Sequence, residues 1–257
     1  MSLNTSKKYL PVLHVNFEIN TYQVDKNSRL KTNYLTALIQ EAAWKHASHL
    51  DLGYEYMHQN GVAWMLMRLY FEMQDYPLWR DNITIETWPK GTEGLFFVRD
   101  MIIYNSEKKK LGAVTTYWML VDIKTKRPRI PESHTEILTL NKDKHALIKK
   151  PEKLKLPFKT EVEKIIPKNS DIDINNHVNS NRYVEWVINN IPDSILSNKI
   201  ISSFQINYLS EVKLGEELII YSFKDVQEND ILFEGLKENG SKICFQAAVK
   251  PGKSSLT

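Results

Sequence analysis

One pattern governs how this chain can fold: a polar stretch, an amphipathic helix and four strand-like runs occur in the first half and recur, in the same order, in the second. A repeat of such long period means two similar units, each with an apolar helix face to bury. Leu35, Leu38, Ile39, Ala42, Ala43, Ala47 and Leu50 recur at helical spacing, and Val178, Tyr183, Trp186, Val187 and Ile191 sketch a shorter second helix. Strands are expected over 62–74, 83–88, 95–104 and 111–122, with hairpin connections at 91–94 and 105–110. The second set is expected over 200–208, 217–223, 231–236 and 242–249. Its turns fall on Glu228-Asn229-Asp230 and Glu238-Asn239-Gly240, the Asn-Gly pair suiting a tight hairpin that needs positive φ. A long helix laid over an antiparallel sheet, made twice, is an α+β architecture; two unrelated α+β domains are the alternative.

Residue matches favour the repeat. Tyr76-Pro77-Leu78-Trp79-Arg80-Asp81-Asn82-Ile83 lines up with Glu211-Val212-Lys213-Leu214-Gly215-Glu216-Glu217-Leu218, and Trp44 lines up with Trp186. The expected division is a first unit over 1–140, a linker over 141–160 and a second unit over 161–257. The linker carries Lys142, Lys144, Lys149, Lys150, Lys153, Lys155 and Lys159 and is broken by Pro151 and Pro157, which favours an extended, solvated crossover.

Composition bounds the function classes. No apolar run approaches the ~20 residues needed to span a bilayer, and no signal-type apolar core follows the N-terminus. The single cysteine, Cys244, excludes an intramolecular disulfide, so a cytoplasmic setting is expected. A net charge of +3 argues against a dedicated nucleic-acid binder. Neither a Gly-x-Ser-x-Gly elbow nor a glycine-rich nucleotide fingerprint occurs. His46 and His49 lie three apart with Asp51 nearby, a metal-compatible spacing that no third cluster of ligands accompanies, so neither a metal nor an organic cofactor is expected.

The chemistry concentrates in Asp173-Ile174-Asn175-Asn176-His177-Val178-Asn179, which sets a carboxylate, amides and an imidazole just before the second helix. Read alone, Asp171, Asp173 and Asn179 suit helix capping, His177 a surface histidine and Glu211 a strand-end charge. Followed by Ser180, Asn181, Arg182, Tyr183 and Trp186, however, the segment resembles the catalytic loop of acyl-acyl-carrier-protein thioesterases. Residues 22–44, 64–88 and 116–131 are also similar to that family, so the resemblance covers most of the chain.

The resemblance implies a tandem (double) hotdog fold and hydrolysis of fatty acyl-acyl carrier protein, which releases a free fatty acid and ends fatty-acid synthesis. In the family a Tyr-x-x-Glu sequence supplies a further carboxylate, and Tyr208-Leu209-Ser210-Glu211 matches it. The implied catalytic residues are Asp173, Asn175, His177 and Glu211. Many plant members carry Cys directly after that Glu; Val212 stands there in this chain, and no cysteine nucleophile is expected. The implied partners are the acidic acyl carrier protein, which the linker lysines would meet, and the fatty acyl chain; a homodimer is a further expectation. An acyl-CoA thioesterase and a non-catalytic acyl-binding sensor of the same fold are the rivals. By the repeat register Lys31, Asn33, Leu35 and Tyr76 stand where Asp173, Asn175, His177 and Glu211 do, leaving one site per chain. The first half is then free to hold the acyl tail, with Trp64, Met65, Met67 and Trp79 as lining candidates.

Overall fold

The computed structural model describes residues 9–131, 135–157, 160–197, 199–225, 230–238 and 242–253. The Glu228-Asn229 and Asn239-Gly240 turn residues and Lys159 fall outside them. The first half runs β1 (Leu13–Glu18), a 3-10 turn (Thr21–Gln23), α1 (Thr32–His49), α2 (Tyr54–Asn60), β2 (Val62–Met73), β3 (Asn82–Glu93), β4 (Phe96–Asn105), β5 (Lys110–Asp122) and α3 (Thr135–Thr139). The second runs β6 (Thr160–Ile165), a 3-10 turn (Asn169–Asp171), α4 (Ser180–Asn189), α5 (Asp193–Leu196), β7 (Ile200–Tyr208), β8 (Leu218–Asp225), β9 (Asp230–Lys237) and β10 (Ile243–Gly252).

All ten strands join one antiparallel sheet in the order β1-β3-β4-β5-β2-β7-β10-β9-β8-β6. Read outward from the centre, the two halves repeat the same order. They meet at β2 and β7, where Arg68 to Glu72 pair with Asn207 to Ser203. Apolar residues on α1 (Leu35, Leu38, Ile39, Ala42, Ala43) and on α4 (Val184, Trp186, Val187) enter one continuous core with Leu69, Phe71, Phe204 and Ile206 of the seam. Among the described residues no helix is long and apolar enough to cross a membrane.

The sheet edges, β1 and β6, are the strands missing from the expected set, although Leu13, Val15 and Phe17 of β1 do alternate toward the core. Every residue of β6 but the last is exposed, so no hydrophobic alternation marks it, and its charges suit an unpaired edge. The segment expected as a linker begins in a turn, with Lys142 N–H donating to Thr139 and Lys144 N–H to Asn141, and its backbone then lies against the sheet. Trp88 Nε1–H donates to the Lys144 carbonyl, Ala146 N–H to Asp100, and Gln205 and Asn207 both donate to the Glu152 carbonyl. Polar side chains of the sheet's outer face thus bind the linker backbone. Its lysines are drawn inward as well: Lys144 pairs with Glu86 and lies 4.0 Å from the centre of the Trp88 ring, Lys150 pairs with Glu93 at 2.8 Å, and Lys149 lies 5.2 Å from the Tyr70 ring centre.

Candidate active site

The segment before α4 closes into a tight hairpin by its own backbone. Asp173 N–H donates to the His177 carbonyl at 2.9 Å, Asn176 N–H donates to the Asp173 carbonyl at 3.0 Å, and Ile172 bridges Val178. Asn176 sits at φ 61°, a left-handed conformation that asparagine tolerates better than most residues. The Asp173 carboxylate accepts from Asn175 N–H at 2.8 Å, which orients it within the loop. Val178 N–H donates to the Val212 carbonyl at 2.9 Å, so the strand exit carrying Glu211 lies alongside. The result is a 3.0 Å contact between Nε2 of His177 and Oε2 of Glu211, with side chains 20% and 36% exposed. Asn175, two residues before His177 in the loop, is exposed.

The capping reading divides between the residues. Asn179 is the N-cap of α4, its side chain accepting from Asn181 N–H at 2.9 Å. Asp171 closes the preceding 3-10 turn through Lys168 N–H, and its other oxygen lies 2.7 Å from Nε of Arg182, an ion pair without hydrogen-bond alignment. Asp173 caps no helix. The N–H groups of Val178, Asn179, Asn181 and Arg182 are all engaged within the protein, which removes them as donors to a substrate oxygen.

Beneath the loop, Tyr183 packs edge-on against Trp186, Tyr208 and Phe245. Burial raises its phenol pKa far above the usual value, and the nearby Cys244, Glu211 and Asp173 add to the effect. Cys244 is buried and, chiefly for that reason, its thiol is pushed up to about 11, so it is no thiolate at neutral pH. One neighbour of the site comes from the other half: Nζ of Lys126, in the turn after β5, lies 3.8 Å from Oε1 of Glu211. Periodicity gave no reason to single it out, although Lys124, Lys126, Arg127 and Arg129 form a compact basic run directly after a strand.

The first half contains the same loop. Asp25 N–H donates to the Arg29 carbonyl, Ser28 N–H donates to the Asp25 carbonyl, Ser28 has φ 61°, and Asp25 Oδ1 accepts from Asn27 N–H. Lys31 N–H donates to the Gln23 carbonyl as Asn179 N–H donates to that of Asp171. The residues that stand where Asp173, Asn175 and His177 do are therefore Asp25, Asn27 and Arg29, and not Lys31, Asn33 and Leu35. Matching Trp44 to Trp186 slid the register, because α1 has 18 residues and α4 only 10. The Tyr76–Glu211 match fits the geometry: Leu30 N–H donates to the Pro77 carbonyl as Val178 does to Val212, and Arg80 and Gly215 share positive φ at 72° and 77°. With Arg29 and buried Tyr76, this loop lacks both members of the His–Glu pair.

The four lining candidates do not converge. Trp64 packs edge-on against Phe97 at 5.1 Å and donates to the Leu52 carbonyl, just past the end of α1. It lies on β2 beyond the last seam pair, Arg68 with Asn207. Met65, the next residue along, points to the opposite face by strand alternation and pairs with Met119. Met67 is the extra residue of a bulge between Leu66 and Arg68. Trp79 is 48% exposed and its N–H donates to Ser28, before the start of α1, roughly 27 Å from the Trp64 end by the rise of the helix.

His46, His49 and Asp51 hold the segment before β1. His46 Nε2 lies 2.9 Å from the Leu10 carbonyl, Leu10 N–H donates to His49, and Tyr9 donates to Asp51. Buried Arg99 reaches Nδ1 of His46 at 2.8 Å.

Comparison with known proteins bears directly on this geometry. Residues 11–138 match the acyl-ACP thioesterase N-terminal domain and residues 153–249 the acyl-ACP thioesterase C-terminal domain. The dodecanoyl-[acyl-carrier-protein] hydrolase of Cinnamomum camphora is 30% identical over 220 residues, covering 79% of this chain and 56% of the relative. The chloroplastic oleoyl-acyl carrier protein thioesterase of Coriandrum sativum is 23% identical, covering 87% of this chain and 66% of the relative. The chain thus spans less than two thirds of the length of these relatives. The crystal structure of an acyl-ACP thioesterase from Bacteroides thetaiotaomicron superposes with a TM-score of 0.88 at 28% identity, covering 94% of this chain and 98% of that one. That of the 12:0-ACP thioesterase from Umbellularia californica superposes at 0.80 with 23% identity, covering 96% and 99%. The two matched domains follow one another along the chain and the tandem hotdog sheet is common to both structures, so the chain belongs to the acyl-ACP thioesterase family.

Proposed function

We propose that this protein hydrolyses the thioester of a fatty acyl group held on acyl carrier protein, with residues 161–257 doing the chemistry, residues 1–140 holding the acyl tail and 141–160 joining them. The 3.0 Å His177–Glu211 contact beside Asp173 is the observation that carries this reading.

Hydrolysis needs a nucleophile at the carbonyl carbon, a donor to the developing oxyanion and a proton for the departing thiolate. Asp173, oriented by Asn175 N–H, is the carboxylate nearest the reacting carbon in this scheme. Glu211 holds the imidazole of His177, which takes the proton of the attacking water and returns it to the thiolate sulfur. A new C–O bond forms, the C–S bond breaks, and the products are a free fatty acid and the carrier thiol. The Asn175 amide is the donor for the substrate or the water in this scheme, the N–H groups of Val178, Asn179, Asn181 and Arg182 being engaged within the protein. The site draws on both halves of one chain through Lys126, so the expected homodimer is not needed to complete it.

The test is thiol release from a panel of acyl carrier proteins of graded chain length. Turnover of acyl-carrier substrates above the same acyl groups on CoA supports the proposal; the reverse preference makes the protein an acyl-CoA thioesterase, and no release from either makes it a binding protein.

A further inference from the structure

The turn after β5 carries four cations, Lys124, Lys126, Arg127 and Arg129, all exposed. Its shape is fixed by its own hydrogen bonds. The Asp122 carboxylate accepts from Lys124 N–H at 3.0 Å and from Thr125 N–H at 2.8 Å, and the Asp122 backbone exchanges bonds with Lys126 and Arg127 at 2.9 Å each. Ile123 N–H donates to Gly61, Arg129 N–H donates to Leu120, and Lys126 occupies the left-handed region at φ 57°. Such a turn spares the backbone an ordering cost on binding, leaving only that of the side chains.

The position of the turn matters as much as its charge. Lys126 lies 3.8 Å from Glu211, which lies 3.0 Å from His177, so the neighbouring cations stand within a few side-chain lengths of the reacting groups. Two residues beyond Glu211, exposed Lys213 adds a cation from the second half. In the linker, which has more lysines, Lys144 and Lys150 are paired with Glu86 and Glu93 and Lys149 is turned onto Tyr70; in the turn Arg129 also lies 3.8 Å from Asp122, so it is the turn's place beside Glu211 that sets it apart.

We propose that the 123–129 turn, through Lys124, Arg127 and Arg129, is where the acidic face of the acyl carrier protein docks. This rests on the carrier being the substrate's bearer. The acyl group arrives on an arm tethered to the carrier, so the docking face has to lie within one arm's length of His177 and Glu211, as this turn does. Exposed charges act over about 8 Å at physiological ionic strength, and charge complementarity at such a rim governs association more than chemistry.

The experiment compares kcat/KM for an acyl carrier protein with kcat/KM for the same acyl group on pantetheine, which has neither protein nor phosphate. In the triple variant K124Q/R127Q/R129Q the ratio of the two should fall about tenfold at low ionic strength, and the difference from wild type should shrink as salt is raised. Single R127Q should move it in the same direction by less, and melting temperatures of both variants control for folding. An unchanged ratio, or a larger fall in K149Q/K150Q/K153Q, overturns the assignment. Surface plasmon resonance with the holo carrier protein separates this proposal from the one it rests on. Carrier binding that the triple variant loses, without acyl-carrier turnover by the wild type, sinks the substrate reading but supports the docking surface. Turnover with unaltered carrier binding in the variant sinks the docking surface alone.

Discussion

Gln40 of α1 donates to Oδ1 of Asn181 in the first turn of α4 at 2.8 Å, and its own Oε1 accepts from Ser180 Oγ at 2.8 Å. Thr36 donates to the same Asn181 oxygen at 2.9 Å. The first half therefore grips the helix that leads out of the loop carrying Asp173 and His177. Thr36 is buried and the other three side chains are partly buried at the helix contact, where an unmade hydrogen bond is costly.

Replacing Gln40 with Ala leaves the Ser180 hydroxyl without its acceptor, while Asn181 Oδ1 keeps its bond from Thr36. The expected loss is about 1–3 kcal/mol, or a melting temperature lower by several degrees for a chain of this size. If the contact also sets the loop, kcat should fall with KM little changed. A lowered melting temperature with wild-type kcat would make the network purely structural.

His177 and Glu211 should behave as one unit. His177→Ala and Glu211→Gln are each expected to lower kcat by ~10²-fold or more, and the double variant should be scarcely worse than either single one. Steady-state kinetics on the four proteins reads this directly, and additive losses would mean the two act independently. Asp173→Asn should be at least as damaging while leaving the melting temperature nearly unchanged, because the amide oxygen can still accept from Asn175 N–H.

What the sequence revealed and what it hid follow from how each feature is encoded. The central strands and both main helices carry apolar residues at a period set by the core, and their positions are legible from Leu35 to Val249. Edge strand β6 buries little and leaves no such trace, whereas β1 carries a short alternation of Leu13, Val15 and Phe17 that the expected set omits. The loop at 173–179 was legible because its residues are chemically distinctive, whereas its first-half counterpart at 25–31 was misplaced: Asp25, Asn27 and Arg29 share its hydrogen bonds and not its chemistry. Lys126 was invisible for a different reason. Its meeting with Glu211 depends on how β2 and β7 join the two halves, a relation between distant segments that no local pattern records.

Strand alternation makes a sharp distinction between neighbours on β2. If the acyl tail runs on the helix side, Trp64→Leu, which frees space beside Phe97, should shift the product profile toward longer chains. A methylene in an apolar pocket is worth roughly 1–3 kcal/mol in discrimination, enough to move the preference by two carbons. Met65→Ala, on the opposite face, should leave the profile unchanged. Chromatography of the released acids from both variants decides it, and a shift caused by Met65→Ala alone would put the tail on the outer face.

The buried histidine predicts a pH dependence of stability that is separate from catalysis. Burial first, and then the Arg99 charge, lower the pKa of His46 to about 3, against 6.5 in the unfolded chain. Its Nε2 faces the Leu10 carbonyl and its Nδ1 faces Arg99, so the neutral ring fits and a second ring proton would confront a guanidinium. Above pH 6.5 the ring is neutral in both states and its contribution to stability is fully present. Between 6.5 and 3 the unfolded chain takes up a proton that the folded one refuses, so stability falls as pH falls, by up to about 1.4 kcal/mol per pH unit from this group. Urea unfolding at pH 7.5, 6 and 4.5 should therefore show the advantage of wild type over His46→Gln shrinking as pH drops. A constant difference across that range would mean that His46 is protonated as readily in the folded protein as in the unfolded chain.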